Sequence, residues 1–324
     1  MTRLRGISTR MAIPRSLTCP SHPAPLRNRL WAWVPVLVLF LWWQPSDSQA
    51  ADALVLGRDV PIRQTPQSSG KVIQTARAGE AYEMPARRPG RSQPLYILDQ
   101  NGDVWVKIRV SDEESGFVPT DLVSVAREEY RSPRGNSLLI VNLRPTGDGG
   151  VSRDLWVIPE GWRGTRRLAT IEGRPVWSSH GEWFICQVDS GRPIKDQSVD
   201  RNVERIEKFL ADGRAHIILA AGSYPILNEA RGEVYFYRDV DDHGAAVPPG
   251  LFAVSVEGGG LRPLYLLPER YKFWKEDGDF FVQVPPPIFH AAQNRILFYA
   301  FEPMGSRVRF SVSPEGQFLE LRRD

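Results

Sequence analysis

The stretch Gly173–Gln187 decides the fold. Its sequence, G-R-P-V-W-S-S-H-G-E-W-F-I-C-Q, contains a short apolar strand, a tight turn and a second strand of bulky apolar residues. The same plan recurs at Tyr130–Val141 and, more loosely, at Ser223–Tyr237 and Pro286–Tyr299, at spacings of roughly 45–60 residues. A β-unit of this kind cannot bury both of its faces alone and must pack against copies of itself. The spacing therefore predicts a repeat array over the last two-thirds of the chain.

The array is predicted to contain about four units within residues 127–324, each with four short strands separated by turns that contain Gly. With 27 Gly, 27 Pro and little helical periodicity, the whole chain is predicted to be all-β. One short helix is predicted over Val199–Arg205, where it would run into a strand. Units of four short antiparallel strands at this period are typical of propeller blades.

Arg153–Ile171 together with Pro175–Trp183 resembles a repeat of the TolB-like (PD40-type) β-propellers. In such a repeat an Arg-Leu pair is followed by a turn of the W-S-P-D-G-K type. Ser132–Gly135 keeps the Ser, Pro and Gly of that turn, whereas Ser179–Gly181 departs from it. The resemblance implies a β-propeller, a fold that usually has more blades than four. Closure is therefore open between a strained ring, a fifth blade in the hairpin Glu269–Val284 and pairing with a second chain.

The first fifty residues have the order of a secretory signal. Met1–Arg29 contains six Arg and no acidic residue, and Leu30–Trp43 is a run of fourteen residues without a charge. We expect a signal peptide over residues 1–50, with cleavage near Ala50 and translation beginning at Met1 or Met11, and hence a periplasmic or secreted protein. Because a bilayer span needs about twenty residues, a retained inner-membrane anchor, with the rest of the chain facing the periplasm, is the alternative.

Charge argues against nucleic acid as a partner. Six of the 41 basic residues and one of the 38 acidic residues lie in the first fifty, so the remainder carries a net charge of about −2. A near-neutral protein lacks the electrostatic attraction on which nucleic-acid binding depends. Cys186 is the single cysteine of that remainder, and its aromatic and aliphatic neighbours indicate a small buried hydrophobic residue.

Residues 51–126 are predicted to form a small β-barrel. Their short segments are separated by turns, and Asp103–Val110 alternates strictly between Val or Ile on one face and Trp, Lys or Arg on the other. The order Val60–Arg63, Ala78–Glu80, Val104–Ile108 and Gly116–Val118 resembles a bacterial SH3 (SH3b) domain. The resemblance implies an SH3-like barrel that often lies outside the cytoplasm and binds peptidoglycan or a cell-wall peptide.

The barrel contains one candidate ligand-binding set: Arg87, Arg88, Arg91, Tyr96 and Trp105. Guanidinium groups pair with planar anions, and exposed aromatic rings stack on ligands. The alternative is a solvated loop for the arginines and core packing for Trp105.

The array contains a second candidate set, for a protein partner. Tyr271, Phe273 and Trp274 belong to the predicted hairpin Glu269–Val284, which is rich in aromatic residues. Aromatic side chains dominate interface hot spots. Core packing of these rings is the alternative, and the large apolar area of aromatic side chains favours it.

The short motifs of catalysis and metal binding are absent from the sequence. There is no G-x-S-x-G, H-E-x-x-H, Walker loop or paired Cys-x-x-Cys set, so the sequence predicts no catalytic residue, no cofactor and no metal site. His180, His216, His243 and His290 are interpreted as packing or surface residues, and Asp239–Asp242 as a solvated acidic loop.

These observations favour a periplasmic or secreted, non-catalytic binding or scaffold protein. Its barrel would contact the cell wall or a peptide, and its array would contact a protein partner of the envelope. A membrane contact would require an uncleaved leader. The alternative from another class is an envelope enzyme, a cell-wall hydrolase or lyase, with a site assembled from residues scattered over the mouth of the propeller.

Overall fold

The computed structural model describes residues 52–85, 96–194, 202–277 and 280–323. Within these ranges the chain forms 26 β-strands, β1 to β26, and three single-turn 3₁₀ helices. The predicted fold class is confirmed: the protein is all-β, with a small barrel followed by an array of four four-stranded sheets. Across the described residues, no helix has the length and apolar content that crossing a bilayer requires.

The barrel is formed by the first eight strands, which make two antiparallel sheets with the orders β4-β1-β8 and β3-β2-β7-β6-β5. Along β6, Val106 and Ile108 point into the core, while Lys107 between them is exposed. The predicted alternation therefore builds the barrel core. The strands are β1 (Asp52–Val55), β2 (Val60–Arg63), β3 (Val72–Ala76), β4 (Ala81–Glu83), β5 (Tyr96–Leu98), β6 (Val104–Arg109), β7 (Ser115–Pro119) and β8 (Val123–Ser124).

Four antiparallel sheets follow the barrel, and we call them blades 1 to 4. In each blade, strands that are consecutive in sequence are neighbours in the sheet. Blade 1 contains β9 (Arg127–Arg131), β10 (Ser137–Pro145), β11 (Val151–Pro159) and β12 (Arg166–Thr170). Blade 2 contains β13 (Val176–Trp177), β14 (Trp183–Pro193), β15 (Asn202–Leu210) and β16 (His216–Ala221). Blade 3 contains β17 (Ser223–Asn228), β18 (Glu233–Val240), β19 (Ala246–Ser255) and β20 (Arg262–Leu266). Blade 4 contains β23 (Ile288–His290), β24 (Arg295–Phe301), β25 (Arg307–Val312) and β26 (Phe318–Arg323).

The blades pack face against face through apolar side chains. The shared clusters include Leu139 with Phe184 between blades 1 and 2, Ile185 with Phe236 between blades 2 and 3, and Tyr237 with Phe298 between blades 3 and 4. Within the described residues, no buried apolar cluster joins blade 4 to blade 1. The clusters therefore connect the blades in sequence order.

In an internal strand, successive side chains pack alternately against the two neighbouring blades. On β18, Val234 and Phe236 pack toward blade 2, whereas Tyr235 and Tyr237 pack toward blade 4. Because both faces are buried, such a strand reads as a continuous apolar run. In blade 4, β25 instead alternates as R-V-R-F-S-V, since its apolar residues all belong to the cluster shared with blade 3.

The predicted hairpin lies between blades 3 and 4 in sequence and consists of β21 (Trp274–Asp277) and β22 (Phe280–Gln283). It has two strands and is therefore not a fifth blade. Tyr271 and Phe273, which precede it, are 2% and 6% exposed and belong to the core of blades 3 and 4. Their rings hold the hairpin against that core and are closed to a partner, which corrects their interpretation as partner-binding residues.

The short helix predicted over Val199–Arg205 is not formed in its described part. Residues 202–205 belong to β15, which pairs with β14 on one side and β16 on the other. Two neighbouring strands supply backbone hydrogen bonds along β15, and this tertiary context outweighs the helical periodicity of the isolated segment. Residues 195–201 lie outside the described ranges.

The barrel packs on blade 1, and both belong to one compact unit, residues 50–324. The apolar part of this seam contains Leu56 of the barrel and Ile140, Trp156 and Ile158 of blade 1. At its edge, Trp162 lies so close to Gly79 that a Cβ at position 79 would be 2.8 Å from the indole ring. The barrel thus covers the face of blade 1 that no other blade covers.

A buried asparagine adds hydrogen bonds to the seam. The Nδ2 group of Asn142 on β10 donates to the backbone oxygens of Thr120, at 3.2 Å, and Val123, at 3.1 Å. Both acceptors belong to the barrel, so the side chain joins the two parts of the molecule. An amide in the apolar run of β10 is explained by this contact.

Asn142→Leu is expected to lower the free energy of unfolding by about 2–6 kcal/mol, because it leaves two buried carbonyl groups without their donor, at roughly 1–3 kcal/mol each. Urea unfolding followed by tryptophan fluorescence measures the change. Asn101→Ala, on an exposed barrel turn, is the matched control and should change stability by less than about 0.5 kcal/mol. Equal stabilities for the wild type and Asn142→Leu would show that these bonds do not hold the seam.

Candidate functional site

The residues predicted from the sequence do not form one site among the described residues. Arg87, Arg88 and Arg91 lie outside the described ranges, so their anion-binding role stays a prediction. Tyr96 is half-buried on β5. In the hairpin, Trp274 is partly exposed, and the Nζ atom of Lys272 lies 4.9 Å from the centre of its ring.

Trp105 is buried in the barrel, so it is not an exposed stacking platform. Its Nε1 group donates to Oδ2 of Asp99 at 3.1 Å, which satisfies the indole N–H and fixes the ring. Trp105 nevertheless lines a cleft that the sequence analysis did not predict. That cleft is the candidate functional site.

The cleft has a volume of about 610 Å³ and opens between the barrel and blade 1. Its barrel side includes Arg63, Asp103, Trp105 and Asp121, and its blade side includes Arg144 of β10, Asp154 and Trp156 of β11, and Arg167 of β12. Asp154 lies directly opposite Asn142 in the pairing of β10 with β11, and Trp156 lies opposite Ile140. The face of blade 1 that packs on the barrel therefore also supplies the wall of the cleft.

Asp154 is the centre of the blade wall. Its side chain is fully buried, and its Oδ2 accepts from Nε of Arg144 while its Oδ1 accepts from Nη2 of Arg167, both at 2.8 Å. The hydroxyl groups of Ser152 and Thr170 also donate to Oδ1, at 2.9 and 3.2 Å. The buried carboxylate thus holds two partly exposed guanidinium groups at the cleft.

The ion pairs keep Asp154 charged. Burial alone would raise the pKa of Asp154, but the hydrogen bonds and positive charges of Arg144 and Arg167 outweigh burial, and the pKa lies below its ordinary value. A charge removed from water is tolerated here because donors surround it. The blade wall therefore presents fixed positive charge to a ligand.

Trp156 supplies an unused hydrogen-bond donor. The residue is 5% exposed, its ring packs with Leu56 and Ile140 at the seam, and its Nε1 group has no acceptor among the described residues. A buried indole N–H ordinarily has a partner, and leaving one unpaired costs roughly 1–3 kcal/mol. The pairing with β12 changes register between Leu155 and Trp156, as does the pairing of the last two strands in each of the other blades.

The barrel wall supplies negative charge. Asp121 is exposed, yet its pKa is raised, chiefly because the walls of the cleft reduce the hydration of its carboxylate. Repulsion from the carboxylates of Asp103 and Asp154 adds to the rise, and Arg144 opposes it. A cation beside Asp121 would relieve this repulsion.

The cleft can therefore recognise a ligand that carries both signs of charge. Guanidinium groups bind carboxylates through paired N–H donors, carboxylates bind ammonium groups, and the indole N–H selects an acceptor. Among the described residues that line it, there is no histidine or cysteine.

Sequence reasoning missed the blade side of this site. The stretch Arg153–Ile171 was used to identify the repeat, and it contains Asp154, Trp156 and Arg167. The available signal was an aspartate at the start of an otherwise apolar strand, because such a charge must be paired when it is buried. Its partner Arg144 could not be assigned without the pairing of β10 with β11.

The cysteine and the acidic loop considered in the sequence analysis have structural roles. Cys186 is buried and lacks a disulfide, and burial raises the pKa of its thiol, which confirms its interpretation as a small hydrophobic residue. In the acidic segment Asp239–Asp242, the carboxylate of Asp241 accepts from the backbone N–H groups of His243 and Ala245, both at 2.8 Å, and so stabilises its own turn. No group of three or more potential metal ligands occurs within the described ranges.

The sequence matches no protein-family model, and no curated protein matches it. Among solved structures, the chain is similar to a protein described as TolB from Agrobacterium tumefaciens, with 14% identity and a TM-score of 0.39 over 84% of this chain and 86% of that one. It is also similar to oligogalacturonate lyase from Vibrio parahaemolyticus, with 12% identity and a TM-score of 0.38 over 86% and 69% of the two chains. A third similar structure is the β-propeller domain of the Trilobed protease from Pyrococcus furiosus, with 9% identity and a TM-score of 0.31 over 70% and 79%. At such low TM-scores these similarities carry no functional argument, and the blades are assigned from the strand order of this chain.

Asp154→Asn is expected to lower the free energy of unfolding by about 2–3 kcal/mol at pH 7, somewhat less than the usual cost of breaking a buried ion pair, because both arginines can turn toward solvent. The pKa of Asp154 is lowered in the folded state relative to an unfolded value of about 3.9. Its contribution is therefore complete above about pH 5 and is lost as the pH falls through the folded pKa.

The difference in stability between wild type and Asp154→Asn should accordingly shrink below about pH 4. Urea unfolding at a series of pH values measures it. Asp112→Asn, on an exposed barrel loop, is the control and should leave stability unchanged at every pH. A difference that stays constant down to pH 2 would contradict the assigned role of the carboxylate.

Proposed function

We propose that this chain is an exported, non-catalytic binding protein that holds a cell-wall peptide in the cleft between the barrel and blade 1. The peptide carries both a free carboxylate and a free ammonium group, as the stem peptides of peptidoglycan do. The stacked blades act as a rigid scaffold and contact a protein partner of the envelope.

The unpaired Nε1 group of Trp156 is the observation that carries this proposal. It lies in the wall of a cleft of about 610 Å³, on a nearly buried side chain, without an acceptor among the described residues. A peptide carbonyl or carboxylate oxygen would supply that acceptor. The interaction would be strong because the indole is already fixed in the apolar seam.

The charges of the cleft support a ligand with two charged ends. Arg144 and Arg167 each have five N–H donors, and their bonds to Asp154 leave several of these donors available for a ligand carboxylate. On the opposite wall, Asp103 and Asp121 repel each other, so an ammonium group between them is favoured. An uncharged peptide would satisfy neither wall.

The sequence supports the compartment and the class of ligand. The basic, apolar and small-residue order of the first fifty residues supports export to the periplasm or beyond. The resemblance of the barrel to SH3b domains supports a wall peptide as the ligand. The absence of catalytic motifs from the sequence favours binding over hydrolysis.

The test is calorimetric titration of the purified protein with a stem tetrapeptide isolated from peptidoglycan. Trp156→Phe keeps an apolar ring and removes the donor, so it should weaken binding about fivefold, the equivalent of one hydrogen bond of roughly 1 kcal/mol. Trp183→Phe is the matched control, because Trp183 lies at the interface of blades 2 and 3, and it should bind as the wild type does.

Two further arms sharpen the test. A tetra-alanine peptide acetylated and amidated at its ends should bind much more weakly, since it has neither the carboxylate nor the ammonium group that the walls recognise. Equal affinity of Trp156→Phe and wild type for the free peptide would remove the cleft as the site. Release of soluble fragments from purified wall material by the wild-type protein would favour the enzyme alternative instead.

A further inference from the structure

A second concave surface lies between blades 1 and 2, and we call it the interblade groove. It has a volume of about 440 Å³ and is lined by β12 of blade 1 and by β14, β15 and β16 of blade 2. Its lining includes Arg205, Glu207 and Phe209, which alternate along one face of β15. Arg167 lines both the groove and the cleft of the proposed function, but the other residues considered below do not touch that cleft.

Glu207 is a buried carboxyl group without a hydrogen bond. Its side chain is 8% exposed, and it accepts no hydrogen bond from any described residue. The nearest basic side chain is that of His216, whose Nε2 lies 3.8 Å from Oε2 of Glu207, which is too long for a hydrogen bond. Burial raises the pKa of Glu207, and the charges of His216 and Arg205 oppose that rise. Glu207 is therefore a buried hydrogen-bond acceptor to which no described residue donates.

Arg205 provides unused donors next to this acceptor. It lies two residues before Glu207 on β15, is partly buried, and makes no hydrogen bond or ion pair with any described residue. The pair therefore lines the groove with an acceptor and a set of donors that do not satisfy each other. The lining also contains Arg166 and Asp189, and its Arg167 is paired with Asp154. Positive and negative charges at the groove therefore nearly cancel, which favours a neutral ligand over an anion or a cation.

His216 provides a flat surface at the edge of the groove. Its ring stacks on Phe209, with 5.3 Å between ring centres and an interplanar angle of 26°, and Phe209 stacks in turn on Phe184 at 5.4 Å. The His216 side chain is nevertheless 55% exposed. Because one face of the His216 ring is fixed by Phe209 and the side chain is largely exposed, the ring can stack on the C–H face of a ligand.

We infer that the interblade groove binds a neutral oligosaccharide. Vicinal hydroxyl groups of a sugar ring donate to one group and accept from its neighbour, which is what Glu207 and Arg205 require. The apolar face of the same sugar ring lies on His216. The protein would then hold a glycan strand in this groove and a peptide in the cleft, so this inference stands independently of the peptide-binding function.

Saturation-transfer NMR with chitotetraose, a neutral oligosaccharide of N-acetylglucosamine, tests the inference on the purified wild-type protein. Transfer to the sugar C–H protons is expected. His216→Ala should weaken binding about tenfold, whereas His216→Phe, which keeps a flat ring, should stay within about threefold of the wild type. His243→Ala, at an exposed turn of blade 3, is the matched control and should bind as the wild type does.

Glu207→Gln tests the polar part of the groove. The amide keeps the shape of the side chain and changes its hydrogen-bonding groups, so binding should weaken about fivefold. Because Glu207 accepts no hydrogen bond and burial disfavours its charged form, the variant should unfold at a urea concentration no lower than that of the wild type, which separates lost binding from lost folding. Glu160→Gln, on the exposed 3₁₀ turn after β11, is the matched control.

Cross-tests with the cleft keep the two proposals separate. Trp156→Phe should bind chitotetraose as the wild type does, and Glu207→Gln should bind the stem tetrapeptide as the wild type does. No transfer to chitotetraose in the wild type, or equal transfer in the wild type, His216→Ala and Glu207→Gln, would overturn the groove as a sugar site. Tighter binding of tetragalacturonate than of chitotetraose would overturn the choice of a neutral ligand.

Discussion

The structure depends on the burial of sheet faces against neighbouring sheets. No four-stranded blade can cover both of its own faces, so blades 2 and 3 bury them against their neighbours, and blade 1 buries one against the barrel. Strand β10 shows the consequence: Leu139 and Val141 pack toward blade 2, whereas Ile140 packs toward the barrel. The barrel is therefore a structural cap for the first blade as well as a separate sheet structure.

The seam between a curved barrel and a twisted blade cannot be apolar throughout, and its polar part becomes the candidate site. The apolar contact of the seam is the cluster around Leu56 and Trp156, and beside it the two surfaces separate into the cleft. Asn142 and Asp154, opposite one another on β10 and β11, lie at this transition. The Asn142 side chain joins blade 1 to the barrel, and the Asp154 carboxylate holds the guanidinium groups of two arginines at the cleft. Stability and binding thus use adjacent residues of the same sheet face.

The sequence predicted most of the fold but little of the site. The repeat of apolar strands and Gly turns predicted the four blades. The apolar residues that bury a sheet face recur within each strand, so this pattern can be recognised in the sequence of one strand alone. The site depends on pairs such as Arg144 with Asp154, which come together only after strands are paired in register. The hairpin shows a second limit of the sequence, which is that aromatic composition does not distinguish an interface from a core. Tyr271 and Phe273 have the composition of an interface, and only their position beside Tyr237 shows that they are core.

Among the described residues, blade 4 buries only one of its faces against another blade. The face of blade 4 that points away from blade 3 carries Arg295 on β24, Arg309 on β25 and Arg322 on β26. Arg309 and Arg322 are directly opposite each other, and Arg322 also pairs with Glu320 of its own strand. Like charges placed opposite one another disfavour pairing unless solvent or an anion lies over them. A second copy stacked on this face by twofold symmetry would oppose arginine with arginine, so the face suits water or an acidic surface better than another blade. Symmetric pairing of two chains through this face, one of the routes to closure that the repeat left open, is therefore disfavoured.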